Sequence, residues 1–294
     1  MRGLLACALL TACYREPSDS CGVAGSCAPD GPPPIQTCST LPTQLTKDQT
    51  ITGGSWLAAE FGDDPFAIIS FKMDGMHDSI LGTKEDLLAG AATFLPVASG
   101  DETREFRSPR LAVGGHELFV RVDEQMETVN FIASMARAGG DDQWAAFMPL
   151  DLRDQDDTPF TILLGADASV PTLTAPRRML LVYGLTAGFD EFEEDTARNL
   201  WKRVLHHTAV YTPPFTGQAH LSADGKRLIY VSLNVPLDQS TISVVERQSL
   251  DTEFDVTGTT LPVEATRPER PTLSADCSHL FYDDEGGSVH VVTY

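Results

Sequence analysis

The chain has 294 residues, and its 42 Asp and Glu against 21 Lys and Arg give a formal charge of −21. That balance excludes nucleic acid as a partner, because neutralising phosphates takes clustered Lys and Arg, and it excludes electrostatic docking on anionic lipid. An apolar fraction of 42% is enough for a full core, in one large all-β domain or two small ones.

The first element is a leader. Met1-Arg2 supplies one positive charge, and Gly3 to Leu10 is an apolar run far shorter than the roughly 20 residues that span a bilayer. The break Leu10-Thr11-Ala12-Cys13 resembles the bacterial lipobox. The resemblance implies acylation of the Cys13 sulfur, cleavage before it, and attachment to the cell envelope through lipid alone. Tyr14, where an Asp would mark inner-membrane retention, points to the outer membrane. Residues 1–12 are therefore expected as a lipoprotein signal peptide, 13–50 as a Cys- and Pro-rich tether and 51–294 as the folded domain. Pro32-Pro33-Pro34 would keep the tether extended. Export leaves Cys21, Cys27, Cys38 and Cys277 for two disulfides, with three connectivities open; Cys21–Cys27 and Cys38–Cys277 are the preferred pairs.

From Arg107 onward a repeat emerges. Leu111, Leu173, Leu221 and Leu273 are each followed seven residues later by another leucine: Leu118, Leu180, Leu228 and Leu280. Between each pair lies Ser-Ala-Asp-Gly or a relative of it, a sequence suited to a tight turn. Each second leucine opens an apolar strand, so each unit reads as a β-hairpin. Further strands are expected over Thr128–Ser134, Arg198–Leu205, Thr241–Glu246 and Ser288–Tyr294, with earlier ones near Ala67–Lys72 and Ala92–Val97. Four antiparallel strands every 40 to 50 residues or so make a propeller blade. The expected fold is all-β: a five-bladed β-propeller, six blades being the alternative. Pairing of a strand within Lys47–Leu57 with the C-terminal strand would close the ring and remove exposed edges. Asp190–His207 is expected as an acidic loop followed by a strand over Asn199–Leu205. A helix competes there, with acids at its start and bases at its end.

The hairpin consensus, best kept in Leu221-Ser222-Ala223-Asp224-Gly225-Lys226-Arg227-Leu228, resembles the TolB-type (WD40-like) repeat of bacterial β-propellers. No counterpart of TolB's N-terminal α/β domain or partner-binding segment is present, so its place in that envelope machine is not implied. The lipobox, the repeats and the absence of G-x-S-x-G, H-E-x-x-H, P-loop and dinucleotide motifs favour a monomeric, non-catalytic binding or scaffold propeller for a protein or glycan. Its binding face would be acidic loops at one end of the channel: Asp123 and Glu124; Asp190, Glu191, Glu193, Glu194 and Asp195; and Asp283, Asp284 and Glu285. Connectors near Arg107, Asp167, Gln218 and Arg270 would ring the mouth. No catalytic residue, metal ligand or cofactor is assigned; Ca2+ is the one candidate ion, although no D-x-[DN]-x-[DN]-G loop occurs. The second reading is a propeller hydrolase or lyase acting on polysaccharide, which needs two carboxyl groups converging at the mouth. The scaffold reading, by contrast, expects no strongly perturbed carboxylate in the channel.

Overall fold

The computed structural model describes residues 40–52, 56–61, 66–73, 76–83, 95–97, 104–111, 117–124, 130–136, 145–162, 167–169, 178–182, 188–208, 215–222, 224–234, 239–274, 277–284 and 288–294. The leader, Cys13, Cys21, Cys27, Cys38, Trp144 and Glu285 lie outside them.

After β1 (Lys47–Thr52) come the four strands of blade one: β2 (Trp56–Phe61), β3 (Phe66–Met73), β4 (Met76–Thr83) and β5 (Leu95–Val97). Blade two is β6 (Arg104–Leu111), β7 (Glu117–Glu124), β8 (Asn130–Ala136) and β9 (Met148–Pro149). A short strap, β10 (Leu152–Arg153), precedes blade three: β11 (Asp167–Ser169), β12 (Arg178–Val182), β13 (Phe189–Asp195) and β14 (Leu200–His207). Blade four is β15 (Phe215–Leu221), β16 (Arg227–Asn234), β17 (Gln239–Glu246) and β18 (Thr259–Leu261). Blade five takes β19 (Pro268–Leu273), β20 (His279–Asp284) and β21 (Val289–Thr293), and β1 completes it, with Lys47 opposite Thr293 and Asp48 opposite Val292. The first strands β2, β6, β11, β15 and β19 touch one another in a closed ring, so they are the innermost strands of a five-bladed β-propeller. All five start at one end, here called the mouth; the second strand of each blade ends there and the third begins there.

The leucine pairs are cross-strand partners. Leu111 faces Leu118, Leu221 faces Leu228 and Leu273 faces Leu280; Leu173 lies outside the described residues. Seven residues is the spacing that a tight turn imposes when two leucines sit opposite each other at the foot of a hairpin. Ser222 Oγ accepts from the Arg227 amide at 2.9 Å, and Ser274 Oγ accepts from the His279 amide at 2.9 Å. Gly225 in one turn and Cys277 in the other occupy the left-handed position, at φ 67° and 58°. Cys277 is buried and disulfide-bonded, to a cysteine outside the described residues.

Blade three departs from the expected register. Asp190–Asp195 is not a loop but the third strand, β13, and the expected strand Arg198–Leu205 falls at the fourth, β14. The helix reading fails at Asn199, whose left-handed φ of 54° lies in the β13–β14 turn. Strand alternation explains how so acidic a run is buried. Phe189 packs towards blade four with Tyr230 and Phe254, while Phe192 packs towards blade two with Phe119, Ile132 and Trp201. Of the acids that follow Phe189, Asp190 contacts Arg203 and His206, and Glu191 contacts His207 and Arg247. Trp201 meets Phe119 edge-on at 6.1 Å, so it is an inter-blade core residue. Between blades four and five, Ile229, Ile242 and Val244 pack against Leu273, Leu280, Tyr282 and Val292. Fully burying each such side chain contributes roughly 1.5–3 kcal/mol.

Gly188, at φ 77°, gives one direct check on this packing. A Cβ there would sit 2.1 Å from the backbone oxygen of His207. Gly188→Ala is expected to lower stability by about 1–3 kcal/mol or more, read from urea unfolding midpoints, because both the φ and the clash oppose it.

Candidate active site at the channel mouth

The innermost strand of blade five is irregular where it begins. A β-bulge separates Glu269 from Thr272, and Arg270 within it has φ 46°. Bulges re-aim side chains, and a non-glycine residue at positive φ persists only where its surroundings hold it. Across the hairpin, Glu269 pairs with Asp283, near the end of β20. Arg270 joins the two acids: its Nη1 lies 3.2 Å from Glu269 Oε2, and its Nη2 donates to Asp283 Oδ2. The Asp283 side chain is fully buried, and its Oδ1 accepts no hydrogen bond. Burial pushes its carboxyl up to about 7; Arg270 opposes the rise and the charge on Glu269 adds to it. Glu269 is about one-third exposed. One buried carboxyl that holds a proton near neutrality therefore stands beside one accessible carboxylate. A perturbed acid of this kind is not what a non-catalytic scaffold called for.

The other expected acids divide. Asp123 and Glu124 close β7, and Asp190 and Glu191 open β13, so their backbones lie towards the mouth. Glu193 and Glu194 run on along β13, and Asp195 ends it at the opposite end, bonded to Arg198 Nε at 2.6 Å. The acids therefore do not share one loop face. Asp190 is buried and accepts from His206 Nδ1 at 2.8 Å. Glu191 is an inter-blade group: Arg247 of blade four donates to its two oxygens at 2.5 and 2.9 Å, and His207 Nε2 lies 2.7 Å from Oε1. Burial pushes the Glu191 carboxyl up, but the His207 and Arg247 bonds outweigh it and hold it below the usual range. His207 Nδ1 contacts Glu253 at 2.5 Å, and Arg247 Nε donates to the Gly225 carbonyl at 2.8 Å.

Asp284 follows strand alternation onto the face of β20 opposite Asp283. There its Oδ2 lies 3.0 Å from His290 Nε2. No three His, Cys, Asp or Glu side chains form a metal-ligand cluster among the described residues. In the run Asp151–Asp157, Asp154 binds Arg203 at 2.6 Å and Asp157 binds Lys202 at 2.9 Å. Sequence reasoning named the Arg270 position and Asp283 but missed Glu269. The signal was a Pro-Glu-Arg-Pro stretch whose bulge does not show as alternation.

No known family matches the sequence, and no curated protein matches it. Solved structures do match the fold. A β-xylosidase aligns with TM-score 0.57 and 11% identity over 85% of this chain and 95% of its own. A GH43 β-xylosidase/α-arabinofuranosidase from a compost microbial metagenome, solved with xylotriose, aligns with TM-score 0.54 and 9% identity over 85% and 93%. The Podospora anserina α-L-arabinofuranosidase, solved with cellotriose, aligns with TM-score 0.50 and 9% identity over 83% and 98%. These matches correct the TolB-type, WD40-like assignment: the hairpin spacing belongs to propellers in general. The non-catalytic binding or scaffold reading, with its protein partner, falls with that assignment, and the lipoprotein leader gains no support from any comparison. At such identities the likeness shows the fold alone, and that fold is the five-bladed β-propeller of GH43 and GH62 glycoside hydrolases.

Proposed function

We propose that the chain is a propeller-fold hydrolase acting on the glycosidic bonds of a polysaccharide, with Glu269 and Asp283 as its acid–base pair. The observation that carries this reading is the pair itself: two carboxyl groups opposite each other at the mouth, one buried and protonated up to about pH 7, one accessible. Glycoside hydrolysis needs one carboxylic acid to protonate the leaving oxygen and one carboxylate to act as base or nucleophile. Asp283 fits the first role and Glu269 the second. Arg270 lies across Asp283, so a substrate oxygen receives that proton when it takes the place of the guanidinium. The solved propellers bound to xylotriose and cellotriose support a glycan as substrate. The disulfide at Cys277 supports work in an oxidising compartment.

The test measures release of p-nitrophenol from aryl α-L-arabinofuranosides and β-D-xylosides, and of reducing ends from xylan. Glu269→Gln and Asp283→Asn are each expected to lower kcat/KM by about 10²–10⁴-fold. Absence of turnover by the parent on all three substrates, or parental rates in both variants, would overturn the reading.

A further inference from the structure

The first hairpin of the closing blade turns on a cysteine where its counterpart in blade four turns on a glycine. Gly225 and Cys277 both hold a left-handed φ, 67° and 58°. Glycine does so freely, whereas a residue with a Cβ is strained there and persists where something else fixes it. Cys277 is fixed covalently: it is buried and disulfide-bonded.

The chain around it points to the other half of the bond. Ile35–Tyr294 is one compact unit, and the cysteines within it are Cys38 and Cys277; Cys7, Cys13, Cys21 and Cys27 all precede it. The described chain begins just after Cys38. Leu41 and Leu45 then pack against the core cluster to which Cys277 belongs, together with Ile229, Leu280 and Tyr282. The Thr46 amide donates to the Thr293 carbonyl at 3.0 Å, and the Tyr294 amide donates to the Ser278 carbonyl at 3.1 Å. Lys47 opens β1 opposite Thr293, which lies opposite His279 on β20. Two strand spacings, about 10 Å, therefore separate the entry to β1 from the hairpin that holds Cys277. From Cys38 to Leu41 the chain also reaches about 10 Å at full extension, so the seat of Leu41 in that cluster puts the two sulfurs within reach of each other.

Blade four supplies a further group. Arg227, on the hairpin of that blade, places Nη1 3.9 Å from Cys277 Sγ. A guanidinium beside the sulfur favours the thiolate, the form that attacks in disulfide exchange.

We propose that Cys38 and Cys277 are joined in a covalent clasp that fastens the ring once β1 has paired with β21. The bond forms by exchange with an external disulfide. The Cys277 thiolate attacks one sulfur of the donor, and the Cys38 thiolate then attacks the Cys277 sulfur. The donor leaves as two thiols that carry away the two electrons and two protons. The clasp ties the segment ahead of β1 to the β19–β20 hairpin. Peeling β1 from β21 then releases little chain entropy, because its leading end stays at Cys277. The same bond makes a fastened ring depend on an oxidising environment.

Digestion of the oxidised full chain by a protease that cuts before aspartate reads the pairing. It places Cys38 in Asp30–Lys47, Cys21 and Cys27 in Asp19–Pro29, and Cys277 in Asp276–Tyr282. Mass spectrometry without reductant is expected to show Asp30–Lys47 joined to Asp276–Tyr282, and that species should vanish on reduction. Cys277 joined to Asp19–Pro29, or found as a thiol, would overturn the proposal. This map is made on the parent chain, so it decides the pairing whether or not a variant folds. Cys38→Ser tests the clasp itself. Trypsin cleavage after Lys47 is expected to become at least about tenfold faster and the melting temperature to fall by about 5–15 °C, while Cys21→Ser/Cys27→Ser keeps the parental values. No loss in Cys38→Ser, or an equal loss in the double variant, would overturn the clasp.

Discussion

Glu191→Ala is expected to lower the stability of the propeller by about 3–5 kcal/mol, the usual cost of removing one partner from a buried ion pair. Glu191 and Arg247 are both completely buried, and they join blade three to blade four. Without the carboxylate, the guanidinium keeps its bond to the Gly225 carbonyl and its place 4.4 Å over the Phe254 ring, but it carries a positive charge with no counter-ion. His207, held between Glu191 and Glu253 and stacked on Phe189 at 4.4 Å, loses a partner as well. The melting temperature should fall by about 10 °C, at roughly 2–4 °C per kcal/mol for a domain of this size. The double variant Glu191→Leu/Arg247→Met should regain most of the loss, since replacing both charges removes the desolvation cost together with the attraction. A Glu191→Ala loss below about 1 kcal/mol would mean that water enters and solvates Arg247, and that the seam is held by its apolar residues alone.

Asp283→Asn should do the opposite to stability and, under the proposed function, abolish activity. The carboxyl moves from an ordinary value of 3.8 to about 7 on folding. Between those two values the folded state binds a proton that the unfolded state has released. The contribution of Asp283 to stability is therefore greatest below pH 4 and is lost as the pH rises towards 7, with the full penalty present above that. A shift of about three units corresponds to about 4 kcal/mol at most. Asparagine cannot ionise, so the variant should match the parent near pH 3.5 and exceed it at pH 8, measured by chemical unfolding at the two values. Destabilisation at both pH values would show that the Arg270 bond outweighs burial and that Asp283 is a structural counter-ion. A gain in stability coupled to a loss of turnover is the pattern expected where a fold tolerates an unfavourable group for its chemistry.

The architecture was legible because its signal is geometric. Two leucines facing each other across a tight turn recur in Leu111–Leu118, Leu221–Leu228 and Leu273–Leu280, and the closing strand was expected within Lys47–Leu57 because the last blade lacked an outer strand. The same generality misled the family assignment, since every antiparallel propeller needs such hairpins. The acidic run at Asp190–Asp195 was illegible for a different reason. A strand with acids on its inner faces looks like a solvated loop until the Arg247, His206 and His207 that bond to it are known, and Arg247 is 56 residues from Glu191 in the chain. Glu269 was hidden by a bulge. A one-residue irregularity turns Arg270 to positive φ and brings an otherwise ordinary glutamate opposite Asp283.

Blade five is woven from both extremities of the folded body, with Lys47 opposite Thr293. During synthesis the first strand must wait, edge exposed, until β21 has left the ribosome, and the ring can close only after that. Contacts between such distant positions are the slowest kind to form. Nascent molecules halted anywhere short of β21 should therefore be open, sticky and protease-sensitive, and a permuted chain whose new ends fall inside another blade should mature on a different schedule while reaching the same native ring.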